Sequence, residues 1–463
     1  MVCAELAPLA KTGGLADAIA GLSIALARAG HEVRVVLPDY GLPGRAARAI
    51  GTFPSKDDAS YRYTEIRHDL GAVRVYLLEA PELGDGVIYA GNTRDARRFF
   101  ALADGGVRLL ETLDWMPDVV HSHDWHAALV PVLLRRRAPK VRPKTMLTLH
   151  NIGYQGVFAA DLLKADERAE LAAAIDTTAS PATLNYLRAG IEAADLVSTV
   201  SPTHAREIQT SVYGAGLHNL LRARSSDLVG ILNGVDYSIW DPRVDPYIAE
   251  HYDRKKLAGK QRVKRAVCTE LGLTCSSREP LLGVVTRLVP QKGIDLLAAQ
   301  LPDLLERSHA RLAILGSGDP ALERTLASFE ERASTRVSFT AGYVESLAHR
   351  ILAGSDIVLV PSRYEPCGLT QMYALRFGSI PVVRKTGGLA DTVQHFDPAT
   401  GRGNGSVFED ADPQGLAWGI GEACRWFADA PTWTRVVANA MEADFSWDNQ
   451  APEYAAAYRR LVS

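Results

Sequence analysis

Several polar stretches of this sequence could do chemistry, and each follows an apolar run. In Pro361-Ser362-Arg363-Tyr364-Glu365-Pro366-Cys367-Gly368-Leu369-Thr370-Gln371 a carboxylate, Glu365, stands just before a helical pattern. Pro366 suits a first helical turn, where its missing N–H costs nothing. The N–H groups of Gly368, Leu369 and Thr370 could then hold a phosphate or a sugar hydroxyl while Glu365 takes another hydroxyl. A plain capping carboxylate is the structural alternative. Val285-Thr286-Arg287-Leu288-Val289-Pro290-Gln291-Lys292-Gly293 has the same setting. Arg287 offers a planar fork and Lys292 a point charge, a natural pair for a diphosphate in a cleft. A solvated basic turn is the alternative there.

The string Lys11-Thr12-Gly13-Gly14-Leu15-Ala16-Asp17 returns unchanged as Lys385-Thr386-Gly387-Gly388-Leu389-Ala390-Asp391. A strand–glycine–helix passage of this kind turns backbone N–H groups toward an anion. It can equally be a turn that packs helix on strand. His121-Ser122-His123-Asp124-Trp125-His126 places two imidazoles on one strand face. Zinc would call for further ligands at a recognisable spacing. Hydrogen bonding to a polyhydroxyl ligand is the simpler reading. Leu149-His150-Asn151-Ile152-Gly153-Tyr154-Gln155-Gly156 is another polar strand end. Leu315-Gly316-Ser317-Gly318-Asp319-Pro320-Ala321 formally matches a dinucleotide fingerprint. It lies on a second strand, with no acidic residue ending the next one, so Asp319-Pro320 reads as a helix start.

These stretches need strands and helices to hold them. Strands are expected at 33–38, a near-continuous apolar run, at 73–78, which alternates, and at 117–121, 145–150 and 196–200, between helical patterns that include 18–29 and 94–113. Such runs are what strands buried on both faces require. The Ala-rich segment 157–190 is expected to be mostly helical. A second alternation has strands at 282–286, 311–315, 336–339, 357–360, 380–384 and 406–408. Its helices are expected at 293–306, 321–331, 345–353 and 366–377. The tail sets Tyr454, Tyr458 and Leu461 on one helical stripe. The expected fold is α/β: two Rossmann-like, doubly wound parallel-sheet domains facing a deep interdomain cleft. The divisions are 1–236 for an acceptor-side domain, 237–246 for a linker, 247–444 for a nucleotide-sugar domain, and 445–463 for a returning helix. The first glycine repeat follows the first strand of its half and the second follows the fifth strand of the other. The repeat is therefore not the trace of a duplicated domain, and Thr286 to Gly293 is the counterpart of the first copy. The short run Met1 to Cys3 reads as the tail of a strand with residues missing, or as a misassigned start.

With 463 residues and a net charge of −3, the chain has no global field for nucleic acid. The cysteines Cys3, Cys268, Cys275, Cys367 and Cys424 are odd in number and scattered, which fits free thiols in a reducing compartment. No membrane span and no secretory signal are expected.

Taken together, these motifs resemble the bacterial glycogen synthase and plant starch synthase family, retaining glycosyltransferases of GT-B architecture. The resemblance covers essentially the whole chain. It rests on both Thr-Gly-Gly-Leu-Ala-Asp stretches, His123-Asp124-Trp125-His126, His150-Asn151, Asn233-Gly234-Val235-Asp236, Gln291-Lys292-Gly293, Glu365 to Gln371 and Phe445-Ser446-Trp447. It implies transfer of glucose from ADP-glucose to the non-reducing end of an α-1,4-glucan (glycogen or starch), with retention. Arg287 and Lys292 would neutralise the departing diphosphate, helped by Lys11 and by backbone at Gly13, Gly14, Leu369 and Thr370. Tyr343 would stack on adenine. Glu365, His150, Asn233, Cys367 and Gly368 would hold the glucose. Asp124 and Tyr89 would meet the acceptor, and Glu365, Arg287, Lys292, His150 and Asp124 form the catalytic set. The implied setting is the bacterial cytoplasm, with no cofactor, no metal and no nucleic-acid or membrane partner. The last helix would cross back onto the first lobe. The Glu-x7-Glu pattern of related enzymes is incomplete here, since Tyr373 stands eight residues after Glu365. That disfavours double displacement and favours front-face attack within an ion pair. A transferase using UDP-glucose and a catalytically silent glucan binder are the competing readings.

Overall fold

The computed structural model describes residues 1–42, 48–56, 58–67, 71–113, 115–137 and 142–463. The chain forms two compact units, Met1–Gly234 with Trp447–Ser463, and Val235–Ser446.

In the second unit six parallel strands take the order Val337–Ala341, Arg311–Gly316, Leu281–Val285, Ile357–Val360, Ile380–Arg384 and Ser406–Phe408. By position in the chain this is 3-2-1-4-5-6, the doubly wound arrangement. The strand order reverses between Leu281–Val285 and Ile357–Val360, which pair directly. Loops leaving these two strands therefore diverge and leave room for a ligand. The expected helices appear at Ile294–Arg307, Pro320–Arg332 and Glu345–Gly354. Asp319 caps the second of these, its carboxylate accepting from Ala321 and Leu322 N–H. One expectation fails. The helix read as 366–377 spans only Thr370–Arg376. The chain turns at Gly368 with φ of 74°, a left-handed conformation that suits glycine, before the helix begins. The segment 237–246 is tied into this unit. Asp241 accepts from Arg243 and Arg376, and Asp245 pairs with His349 at 2.6 Å.

The first unit repeats the theme. Val2 bridges in parallel to both Val36 and Ser122. It thereby joins the strands Arg74–Glu79 and Arg34–Pro38 to Val119–His123, Lys144–Leu149, Leu196–Thr199 and Leu228–Gly230. The order again reverses beside the first strand. Two antiparallel strands, Arg48–Pro54 and Arg62–Arg67, extend one edge of this sheet and were not anticipated. The segment 157–190 is not mostly helical. Val157–Ala159, Ile175–Asp176 and Thr183–Asn185 make a small antiparallel sheet, with helix confined to short pieces until Tyr186–Ala193. Its alanines favour helix only weakly, and the paired backbone overrides them.

Helix Trp447–Val462 belongs to the first unit. The Trp447 indole fills the space above Gly21 and Gly234, and Tyr454 is fully buried. Among the described residues no helix is long and apolar enough to cross a membrane. The cysteines are not all free thiols: Cys268 and Cys275 form a disulfide with Cα atoms 6.1 Å apart. A spacing of seven is no recognised motif, and the contact arises only when the end of helix Ala258–Glu270 folds back.

Candidate active site

At the switch point of the second unit the two diverging loops meet. Lys292 Nζ lies 2.6 Å from Glu365 Oε2, and the Ser362 hydroxyl donates to the same oxygen at 2.9 Å. Glu365 is buried, so both partners offset the cost of taking its charge from water. The two loops are also stitched through backbone. Arg363 N–H donates to Gln291 O at 2.8 Å, and the Arg363 guanidinium holds Asp295 at 2.6 and 2.7 Å. Arg287 is exposed and its side chain has no ion pair or hydrogen bond among the described residues. Tyr343 is 59% exposed. Cys367, Gly368, Leu369 and Thr370 continue the Glu365 loop into the short helix, and Cys367 is buried.

The second glycine repeat acts as the floor of this loop. Gly388 N–H donates to Glu365 O at 3.0 Å and to Pro366 O at 3.2 Å. A Cβ at Gly388 would fall 2.1 Å from Cys367 O, so only glycine permits this approach. Gln371, folded back, donates to Cys367 O, Gly368 O and Thr392 Oγ1. Lys385 pairs with Glu409 at the surface and takes no part.

In the first unit the glycine repeat is organised by a residue the sequence did not single out. The buried Glu5 carboxylate accepts from Thr12 N–H at 2.7 Å, Thr12 Oγ1 at 2.8 Å and Gly13 N–H at 3.1 Å. Tyr89 OH donates to Glu5 as well. Burial and this carboxylate hold the Tyr89 phenol well above its usual range, so it stays a donor. Its ring stacks on His126 at 4.9 Å. Tyr89 is thus tied through Glu5 to the loop that carries Gly13 and Gly14. Lys11 pairs with Asp17 at 2.9 Å, both partly exposed.

Asp124 begins where strand Val119–His123 ends, with φ of 57°. Its Oδ1 accepts from His150 N–H at 2.7 Å and Asn151 N–H at 3.2 Å. Burial nevertheless pushes its carboxyl up to about 7. His150 Nε2 meets His123 Nδ1 at 3.1 Å. Burial pushes His150 and His126 down to about 3, so these rings are neutral near pH 7. His121 contacts Tyr458 OH at 2.7 Å and Thr148 Oγ1 at 2.6 Å. Tyr454 OH donates to Asn233 Oδ1 at 3.3 Å. The tyrosine stripe foreseen on the last helix therefore supports His121 and Asn233. Among the described residues no group of three or more His, Cys, Asp or Glu side chains could hold a metal ion.

Two doubly wound units, each with polar groups at its switch point, are the parts of a GT-B glycosyltransferase. Residues 1–223 match the starch synthase catalytic domain, and residues 279–425 match glycosyl transferases group 1. Glycogen synthase of Dechloromonas aromatica is 41% identical over 478 residues, covering 99% of this chain and 97% of its own. That of Anaeromyxobacter dehalogenans is 42% identical over 479 residues, covering 100% and 99%. Among solved structures, the catalytic domain of Starch Synthase IV from Arabidopsis thaliana, bound to ADP and acarbose, has a TM-score of 0.90 and 36% identity, over 99% of this chain and 98% of that one. The chain belongs to the glycogen synthase and starch synthase family, glycosyltransferases that build glycogen or starch.

Proposed function

We propose that this enzyme transfers glucose from ADP-glucose to the non-reducing end of an α-1,4-glucan, with retention of configuration and without a metal or cofactor. The observation that carries this reading is the Lys292–Glu365 pair, on the loop that runs through Gly368 and Leu369 into helix Thr370–Arg376. A fixed ammonium next to a carboxylate suits a ligand that carries both a diphosphate and sugar hydroxyls. The relative solved with ADP and acarbose supports the same donor and acceptor classes here.

In this reading Arg287 and Lys292 stabilise charge on the phosphate as the C1–O bond to ADP breaks. Lys11 and the amides of Gly13 and Gly14 assist, and Tyr343 takes the adenine. Glu365 Oε2 is occupied by Lys292 and Ser362, which leaves Oε1 for a glucose hydroxyl. His150, Asn233 and Cys367 complete the glucose contacts, while Asp124 and Tyr89 receive the glucan. The acceptor hydroxyl attacks C1 from the face ADP leaves, and its proton passes to the departing phosphate. Tyr373 supports this over double displacement. It is stacked on Trp240 at 3.9 Å and carries no carboxylate.

The test is ADP release from ADP-glucose with glycogen, with and without EDTA, against UDP-glucose. Glycogen-dependent release that ignores EDTA and falls sharply with UDP-glucose is expected. Loss of activity in EDTA, equal use of UDP-glucose, or a trapped glucosyl-enzyme adduct would each overturn the corresponding part.

A further inference from the structure

Helix Pro413–Ala428 buries Leu416, Ile420, Ala423 and Trp426 against the second unit. On its outer side stands Trp418, 49% exposed. The other six tryptophans are buried or half-buried, as so large an apolar ring favours. Trp418 is nevertheless held firmly. One face lies on the His395 ring, with centroids 5.3 Å apart and 19° between planes. His395 in turn meets buried Trp426 edge-on at 5.4 Å. Val407 N–H donates to His395 Nδ1 at 3.2 Å, which fixes the tautomer and leaves Nε2 as the protonated nitrogen. That N–H has no partner among the described residues. Burial also keeps the ring neutral by lowering its pKa.

Gln414 and Glu422 stand one turn to either side of Trp418, each about 6 Å along the axis. Gln414 is exposed, and Glu422 is paired with Arg425. Next to the indole, Gly421 leaves open space: a Cβ there would meet nothing within 4 Å. The result is one rigid aromatic plate flanked by an amide, an imidazole N–H and a carboxylate. An indole offers about 150–250 Å², far below the roughly 800 Å² per side of a stable protein interface. The flanking groups are not a cation cluster of the kind that a polyanion needs. A pyranose fits both features, with its C–H face on the indole and its hydroxyls on the polar flanks.

We propose that Trp418, His395 and Gln414 form a second glucan-binding platform, which retains the polymer while chain ends are extended. It lies on a helix packed against Ile380–Arg384 and Ser406–Phe408 at one edge of the sheet, and against helix Ile294–Arg307. The proposal rests on an α-glucan being the acceptor.

The test compares wild type, Trp418→Ala and Trp418→Phe by affinity electrophoresis in glycogen gels, and by KM for glycogen against KM for maltotriose. Loss of one stacking contact predicts about fivefold weaker glycogen retention for Trp418→Ala, with the ratio of the two KM values rising alike. Trp418→Phe keeps most of the retention. Equal retention by all three proteins overturns the platform, as does a Trp418→Ala defect of the same size with maltotriose. Should wild type fail to transfer glucose to glycogen, the acceptor reading falls, and gel retention still decides whether the plate binds glucan.

Discussion

Lys292→Ala separates what the Lys292–Glu365 pair does for the fold from what it does for the reaction. At 2.6 Å and an effective dielectric of 20, the gross attraction is roughly 6 kcal/mol before desolvation. Removing Lys292 strands a carboxylate whose side chain is only 8% exposed, with Ser362 as its remaining partner on Oε2. That costs about 3 kcal/mol, or about 6–12 °C in the transition of a unit this size. Adding Glu365→Gln removes the stranded charge, so the double variant recovers about 2 kcal/mol of that loss. Turnover behaves differently. Lys292→Ala is expected to lose about 10²–10³ in kcat, with a smaller effect on glucan binding, and the double variant does not recover it. Calorimetry and ADP release on the four proteins of the cycle read both quantities. A coupling below about 0.5 kcal/mol would refute the buried pair as a structural element. Recovered turnover in the double variant would show that Lys292 serves only to neutralise Glu365.

Arg287 is exposed and makes no ion pair or hydrogen bond among the described residues, so Arg287→Ala should move stability by less than about 0.5 kcal/mol. It should still lower kcat by about 10², with Arg287→Lys only a partial rescue; unchanged kcat would remove Arg287 from the reaction. Asp124 predicts a pH signature. Its carboxyl is raised from 3.8 to about 7 in the fold, so its protonated form stabilises at low pH and that contribution is lost as pH rises through about 7. From pH 5 to pH 8 wild type should lose roughly 2–3 kcal/mol relative to Asp124→Asn. Parallel pH–stability curves for the two proteins would contradict this.

Much of the framework was legible because parallel strands are buried on both faces and read as unbroken apolar runs. The strands at Leu281–Val285, Arg311–Gly316 and Ile357–Val360 fall within a residue or two of the expected places. Residues whose setting depends on distant chain were not legible. Glu5 looks like any strand-end carboxylate until the loop returns Thr12 and Gly13 N–H groups to it. Pro366 imitates a helix start, yet the turn at Gly368 moves that start to Thr370. The antiparallel strands Arg48–Pro54 and Arg62–Arg67 lack any continuous apolar run: Gly51 and Thr52 interrupt the first, and Arg62, Thr64, Glu65 and Arg67 make the second largely polar. The partners of Gly388 are backbone carbonyls, which no side-chain motif announces.

The helix Trp447–Val462 completes a unit whose other residues end at Gly234. During synthesis about 200 residues separate the two pieces, roughly 10–40 s at 5–20 residues per second. The second unit is contiguous and can close while the first still lacks the tyrosines that hold Asn233 and His121. A ribosome that stops early therefore releases a chain with a finished Lys292–Glu365 loop but no intact partner unit. The residues before Gly234 thus wait for Trp447–Val462 to emerge before Asn233 and His121 gain their tyrosine partners.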